Sequence, residues 1–97
     1  MKINWLEEAR NDLQRFEKSV RDEIAVRVGQ LENNPLGENT SLFSKQGMEI
    51  FRLKLKDGQL DHRVFFDLDG GEVVILGVEH RDQAYTPESI KRIKSRL

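Results

Sequence analysis

The chain has 97 residues, of which 37% are hydrophobic, and its formal net charge is −1. No apolar run approaches the roughly 20 residues that a membrane-spanning helix needs, and no signal-peptide pattern follows the first residue. Cysteine is absent, which excludes disulfides, thiolate metal sites and a cysteine nucleophile. We therefore expect one domain over residues 1–97, located in the cytoplasm.

The first third of the chain predicts one short strand and two helices. Lys2–Trp5 alternates in polarity, as a strand does. Apolar residues then recur at spacings of three and four across residues 6–16 and again across residues 20–31, which is the helical period. Ser19 is the expected N-cap of the second helix, and Pro35 marks its end because proline cannot continue the helical hydrogen bonds.

The middle of the chain predicts a loop followed by three strands. Residues 35–47 are rich in glycine, asparagine and hydroxyl residues, which is typical of a loop. The period then changes to two, and strands are expected over Ile50–Lys56, Leu60–Asp67 and Glu72–Val78, separated by Asp-Gly and Gly-Gly turns. The last strand is the most apolar, so we place it at the centre of the sheet.

The chain closes with a short basic helix over Pro87–Leu97, for which Thr86 is the expected N-cap. The element order is therefore β-α-α-β-β-β-α, which is an α+β fold. We expect the helical hairpin to cover one face of an antiparallel sheet. The other face would be left partly open and would carry the charged side chains.

Basic residues alternate with apolar residues along two of the predicted strands. Arg52, Lys54 and Lys56 project from one side of the first strand of the meander, and Arg63 can lie beside them on the next strand. No acidic residue stands between Arg52 and Lys56, so we expect fixed cations without built-in counter-ions. Such a surface suits the binding of phosphate groups.

Arg81, Tyr85 and His80 follow the last strand and could join these cations. Together they could cut RNA without a metal, because arginines stabilise the charge on the phosphorane and a tyrosine or lysine can move the proton. A solvated strand and a packing tyrosine are the plainer interpretation, which the residue pattern alone leaves open. The histidines have no nearby His or Cys in the sequence, so we expect no metal and no cofactor.

From residue 51 onward the sequence resembles the RelE/ParE superfamily of toxins from type II toxin–antitoxin systems. The resemblance lies in the order and spacing of four motifs, the last of which ends in arginine, three further residues and tyrosine. These are Phe51-Arg52-Leu53-Lys54-Leu55, Arg63-Val64-Phe65-Phe66, Glu72–Val78 and Glu79–Tyr85. The helical hairpin ending in Asn-Pro also fits, so the resemblance covers essentially the whole chain.

The resemblance implies a RelE-like toxin that cuts messenger RNA in the ribosomal A site and leaves a 2′,3′-cyclic phosphate. Lys54 or Tyr85 would act as the base, and Arg81 as the leaving-group acid or phosphate partner. Tyr85 would also stack on a base of the substrate. The catalytic candidates are Lys54, Arg63, Arg81 and Tyr85, and the candidates for RNA or phosphate binding are Arg52, Lys56 and His80.

Two alternatives with the same fold stay open. One is a ParE-like toxin that inhibits DNA gyrase without cutting RNA, and the other is a degenerate toxin without activity, which the near-neutral charge favours. Because a toxin must be silenced, the resemblance also implies a cognate antitoxin in a toxin–antitoxin hetero-oligomer, beside ribosome and mRNA as partners. We expect the antitoxin to cover the Arg52/Lys54/Arg63 face or to displace the C-terminal helix.

Overall fold

Five strands form one sheet with helices on both faces in the computed structural model, which describes residues 1–97. The strands are β1 (Lys2–Trp5), β2 (Thr40–Lys45), β3 (Met48–Leu55), β4 (His62–Asp69) and β5 (Glu72–His80). The helices are α1 (Glu7–Gln14), α2 (Lys18–Gly29), α3 (Arg81–Ala84) and α4 (Pro87–Lys94), with a 3-10 turn over Gln30–Glu32. This architecture confirms the predicted α+β class.

The strand order across the sheet is β1-β5-β4-β3-β2. β1 pairs parallel with β5, and all other neighbours are antiparallel. The expectation that the last strand is central was wrong, because β4 is the middle strand. β5 is nevertheless flanked on both sides, by β1 and β4, which explains its apolar sequence.

The expected loop over residues 35–47 was wrong as well, because its second half forms β2. This strand pairs with β3 along its whole length, from Thr40 opposite Leu53 to Lys45 opposite Met48. Gln46 and Gly47 form the turn between the two strands, both with positive φ. Only two of the six residues in β2 are apolar, which is why the composition indicated a loop.

Helices α1 and α2 pack on one face of the sheet and enclose the larger of two hydrophobic cores. The side-chain alternation predicted for β3 and β4 is confirmed, since Leu53, Leu55, Val64 and Phe66 all point into this core. Ser19, the expected cap of α2, does not cap it: the helix begins at Lys18, and the Ser19 hydroxyl donates to Gln59.

α4 packs on the opposite face of the sheet. Thr86 caps it and Pro87 opens it, as predicted, while Ile90 and Ile93 enter a second core. The approach is close at Gly77 of β5, where an added Cβ would lie 2.3 Å from Ile93 Cδ1. Glycine at this position therefore allows α4 to lie directly on the sheet.

Two ion-pair clusters hold α4 in place. The Arg96 guanidinium donates to the Asp12 carboxylate of α1 at 2.6 Å, and both side chains are less than a tenth exposed. The buried Glu79 carboxylate accepts from Arg15 at 3.0 Å and from Arg92 at 2.9 Å. α4 is thereby tied to both α1 and β5.

No helix of the structure combines the length and the apolar character that crossing a membrane requires.

Candidate nucleic-acid interface

Arg52 and Tyr85 meet on the face of the sheet that α4 leaves open. Arg52 Nη1 donates to Tyr85 Oη at 3.1 Å, and the guanidinium carbon lies 5.4 Å from the centre of the tyrosine ring. Arg52 Nε also donates to Ser41 Oγ of β2 at 2.9 Å. A residue of β3 and the residue that ends α3 are therefore fixed against each other, although 33 positions separate them.

Two phenylalanines support the tyrosine ring from below. The ring centres of Phe43 and Phe65 lie 5.7 Å and 6.2 Å from that of Tyr85. Phe43 belongs to β2, so sequence reasoning missed both it and Ser41. The signal was weak but present: a Leu-Phe pair stands between serines and is followed by a Gln-Gly turn.

Lys54 and Arg63 lie directly opposite each other in the register of β3 and β4. Arg63 is only 5% exposed, and its Nη1 donates to the His62 carbonyl at 2.9 Å. Its Nε is buried without a hydrogen-bond partner. Arg63 is thus a fixed, incompletely satisfied cation beneath the surface.

Arg81 is the first residue of α3 and is largely exposed. Its Nε lies 3.3 Å from Asp61 Oδ2, and Arg63 Nη1 lies 3.8 Å from Asp61 Oδ1. The expectation of cations without a built-in counter-ion was therefore wrong for Arg63 and Arg81. Asp61 stands just before β4, outside the basic strand segments in which acidic residues were sought.

Lys54 and Lys56 line a polar cleft beside β2. Neither lysine takes part in an ion pair, whereas Arg27 at the rim is paired with Asp57 at 2.7 Å. The cleft therefore presents two free ammonium groups next to the Arg52–Tyr85 contact. It is lined by Arg27, Glu38, Asn39, Thr40, Ser41, Lys54, Lys56 and Asp57.

His80 does not join the other candidate residues. Its ring packs edge-on against His62, 5.3 Å between centres, and His62 packs in the same way on Phe16 beneath the helical hairpin. The His80 Nδ1 accepts from the Asp82 backbone N–H at 3.2 Å and caps α3. His80 is therefore on the other side of the sheet from Arg52 and Lys54.

Burial, together with the nearby His80, lowers the pKa of His62 below its ordinary value. The His62 Nδ1 accepts from the Asp61 backbone N–H at 3.0 Å, which also favours the neutral ring. The structure contains no group of three or more side chains that could hold a metal ion. The arrangement is thus one of fixed cations, one tyrosine hydroxyl and aromatic rings.

A model of the "ParE toxin of type II toxin-antitoxin system, parDE" matches residues 3–85. The chain belongs to this family. The matched segment contains all seven candidate site residues of this chain and ends before α4 begins. The predicted resemblance to RelE/ParE toxins is confirmed.

Solved structures of RelE proteins share the fold. The RelBE2 toxin–antitoxin complex from Mycobacterium tuberculosis is 22% identical, with a TM-score of 0.70 over 82% of this chain and 96% of that chain. A variant of E. coli RelE in the free state is 17% identical, with a TM-score of 0.71 over 99% and 96%. The RelE–RelB complex from Pyrococcus horikoshii is 18% identical, with a TM-score of 0.67 over 86% and 97%. No curated protein sequence matches significantly.

Proposed function

We propose that this type II toxin is a metal-independent endoribonuclease that cleaves messenger RNA in the ribosomal A site and so inhibits translation. The observation that carries the proposal is the hydrogen bond between Arg52 and Tyr85 on a face that also presents Lys54 and Arg81. A tyrosine held by an arginine, with the unpaired Lys54 on the same face, can act on a phosphodiester. Its action on ribosomes would place it in the cytoplasm.

Cleavage would begin with attack of the ribose 2′-oxygen on the adjacent phosphorus. The proton of the 2′-hydroxyl passes to Tyr85 acting as the phenolate or to Lys54 acting as the neutral amine, and the bond between phosphorus and the 5′-oxygen breaks. The 5′-oxygen takes its proton from the Arg81 guanidinium, which regains one from water, and a 2′,3′-cyclic phosphate remains. Arg52 and Arg63 stabilise the negative charge of the phosphorane, since charges fixed in advance need no reorganisation.

The tyrosine ring supports the proposal in a second way. With Phe43 and Phe65 behind it, the Tyr85 ring is held at a fixed angle, and an unpaired base can stack on its exposed side. Base stacking on an aromatic ring is the usual way in which proteins hold single-stranded RNA.

The family match favours a second candidate, a toxin that inhibits DNA gyrase. Such a protein would not require the contact between Arg52 and Tyr85. The two candidates differ in one observable: growth arrest with intact messenger RNA would indicate the gyrase target.

We also propose a cognate antitoxin that binds the charged face. Solved RelE structures include complexes with their antitoxins, from Mycobacterium tuberculosis and Pyrococcus horikoshii among others. An acidic segment of the antitoxin would complement Lys54 and Lys56, which have no acidic partner within the chain. Removal of residues 86–97 is a poor test of this interface, because it would also remove Ile90 and Ile93 from the second core.

The decisive experiment is primer extension on a translated messenger RNA, with and without ribosomes. Purified wild-type protein, Tyr85→Ala and Tyr85→Phe are compared, and Arg10→Gln on the exposed surface of α1 serves as the control. We expect cuts within codons that require ribosomes, that persist in the control and that disappear in Tyr85→Ala. Tyr85→Phe keeps the ring but loses the hydroxyl contact with Arg52, so it separates proton transfer from stacking.

An absence of cuts with a folded wild-type protein that still arrests growth would rule out the ribonuclease. Cuts that survive in Tyr85→Ala would show that RNA is cleaved from another site. Loss of cleavage in both variants would assign the hydroxyl a chemical role, whereas loss in Tyr85→Ala alone would assign the ring a stacking role.

A further inference from the structure

Asp61 lies between two arginines of the charged face. Its two carboxylate oxygens are divided between them: Oδ1 lies 3.8 Å from Arg63 Nη1, and Oδ2 lies 3.3 Å from Arg81 Nε. A phosphodiester bound by two arginines would be held in a similar way, with two oxygens of one phosphorus atom each facing a different guanidinium. The carboxylate therefore has the charge of the group that a nuclease site must bind and presents a similar pair of oxygens to the two guanidinium groups.

Both contacts of the Asp61 carboxylate are loose. Neither is a hydrogen bond, in contrast to the pair of Asp12 and Arg96, whose atoms lie 2.6 Å apart. Arg81 is 57% exposed and Asp61 is 38% exposed, so water competes for both. An ion pair of this kind contributes little to stability and exchanges readily.

The surrounding cleft carries more positive than negative charge. Lys56, Arg63 and Arg81 line it, and Asp61 is its only acidic residue. Arg63 retains a buried Nε without a partner, so Asp61 does not satisfy it fully. Asp82 lies outside the lining but also reaches Arg81, with its Oδ1 3.5 Å from Arg81 Nη2. Three cations therefore face two carboxylates, and the cleft keeps a net positive charge for a further anion even while Asp61 is in place.

We propose that Asp61 is an internal substitute for phosphate, which occupies the anion position between Arg63 and Arg81 until a phosphodiester of RNA displaces it. The inference rests on the proposed function, since the displacing group is the RNA substrate. The consequence is selectivity for RNA over small anions, because a small anion must displace the carboxylate without making further contacts. An RNA strand that also contacts Arg52 and Tyr85 gains binding free energy from those contacts, which offsets the cost of displacing the Asp61 carboxylate.

The exchange needs no change in the backbone. The Asp61 carbonyl accepts from the Arg81 backbone N–H at 2.9 Å, and its own N–H donates to His62 Nδ1 at 3.0 Å. The first bond holds the start of β4 against α3, and the second fixes the local backbone at Asp61, while the side chain turns away. Asparagine at this position would preserve both bonds and the size of the side chain, and would remove only the charge.

The test is binding of a short, fluorescein-labelled 2′-O-methyl RNA, which cannot be cleaved, measured by fluorescence anisotropy. Asp61→Asn is compared with Asp57→Asn, which removes the same charge from the nearby turn but from a pair with Arg27. We expect Asp61→Asn to bind the RNA roughly two- to fivefold more tightly than Asp57→Asn does, the range of an exposed ion pair. Thermal unfolding confirms that both variants are folded.

Arg81→Gln in the wild-type and Asp61→Asn backgrounds provides the second arm. If Asp61 competes for Arg81, the gain from Asp61→Asn shrinks when Arg81 is absent. Equal gains in Asp61→Asn and Asp57→Asn, or weaker binding in Asp61→Asn, would overturn the inference. Tighter binding without any RNA cleavage by the wild type would instead overturn the ribonuclease proposal and leave the anion site standing.

Discussion

The surroundings of His62 favour the neutral ring on balance: burial, His80 and Arg63 lower its pKa, and only the Asp61 carboxylate acts in the opposite direction. His62 lies between Phe16 and His80, and its Nδ1 accepts a backbone N–H. Protonation would place a charge in this apolar environment and turn an acceptor into a donor. The side chain therefore couples the stability of the fold to pH.

We expect the free energy of unfolding to decrease as the pH falls below about 6.5, the ordinary pKa of histidine. The pKa of His62 is lowered in the folded state, chiefly by burial and then by His80. Because the unfolded chain binds more protons than the folded chain in this window, the free energy of unfolding decreases as the pH falls. Above this window the full contribution of His62 is present.

Urea unfolding at two pH values, one on each side of this window, measures the effect. His62→Asn keeps an acceptor near the Asp61 N–H but does not titrate, so the difference between wild type and variant should depend on pH. A constant difference between the two proteins across the window would refute this assignment.

The sequence alone predicted the position of some site residues and not of others. The period of two placed Arg52, Lys54 and Arg63 on the correct face, because strand geometry is local. His80 was expected to join the cations because it stands next to Arg81 after the last predicted strand. An extra residue in β5, Leu76, shifts the register with β4, and His80 lies opposite His62 on the other face. Asp61 was missed because its two arginine partners are brought together only by the turn and by α3.

β2 is the element that positions the proposed catalytic pair. Its Ser41 accepts from Arg52 Nε at 2.9 Å, while Ser44 of the same strand is exposed and makes no side-chain hydrogen bond. Short strands of low apolar content cannot be told from loops by composition, because pairing with β3 supplies the stabilisation. For this reason the sequence predicted neither β2 nor the contacts that its Ser41 and Phe43 make with Arg52 and Tyr85.

We expect Ser41→Ala to slow RNA cleavage at subsaturating substrate by roughly fivefold, the effect of losing one hydrogen bond of about 1 kcal/mol. The freed Arg52 would no longer hold the Tyr85 hydroxyl in place. Ser44→Ala is the matched control and should cleave as the wild type does. Equal rates for the two variants in a single-turnover assay would mean that Ser41 does not position Arg52.

α4 depends on its ion pairs as well as on its apolar stripe. We expect Asp12→Ala to lower the free energy of unfolding by about 3 kcal/mol, because it leaves the buried Arg96 without its partner. Asp22→Ala removes an exposed pair with Lys18 and should cost less than about 0.5 kcal/mol. Chemical denaturation of both variants measures the difference.

A double variant identifies the partner of Asp12. If Arg96 is responsible, adding Arg96→Met to Asp12→Ala should cost much less than Arg96→Met does alone. Independent effects would instead assign the loss to the other bond of Asp12, which accepts from the Val78 backbone N–H at 3.1 Å.

The whole molecule has almost no net charge, but a cluster of its positive charges lies on one face. The formal net charge is −1, yet Arg52, Lys54 and Lys56 make no ion pair within the chain. Arg63 and Arg81 share the Asp61 carboxylate. Net charge sets long-range attraction to RNA, whereas a local cluster sets the number of phosphates contacted. Five cations form this cluster: Arg52, Lys54, Lys56, Arg63 and Arg81.

We expect the logarithm of the RNA-binding constant to fall with the logarithm of the salt concentration with a slope no steeper than about −3.5. Each phosphate contact on a single strand contributes about 0.7 to the slope, and the face offers five cations. Anisotropy of the uncleavable RNA across a series of KCl concentrations gives the value. A steeper slope would show that further cations, such as Lys91 and Lys94 of α4, also contact the strand.

The pair of Asp12 and Arg96 joins positions that are 84 residues apart in the sequence. Synthesis proceeds from the N-terminus at about 5–20 residues per second, so Asp12 waits about 4 to 17 seconds for its partner to be made. During that interval α4 is absent and the second core lies open. A newly made chain therefore passes through a period in which an antitoxin already present could meet it before its own last helix closes over the sheet.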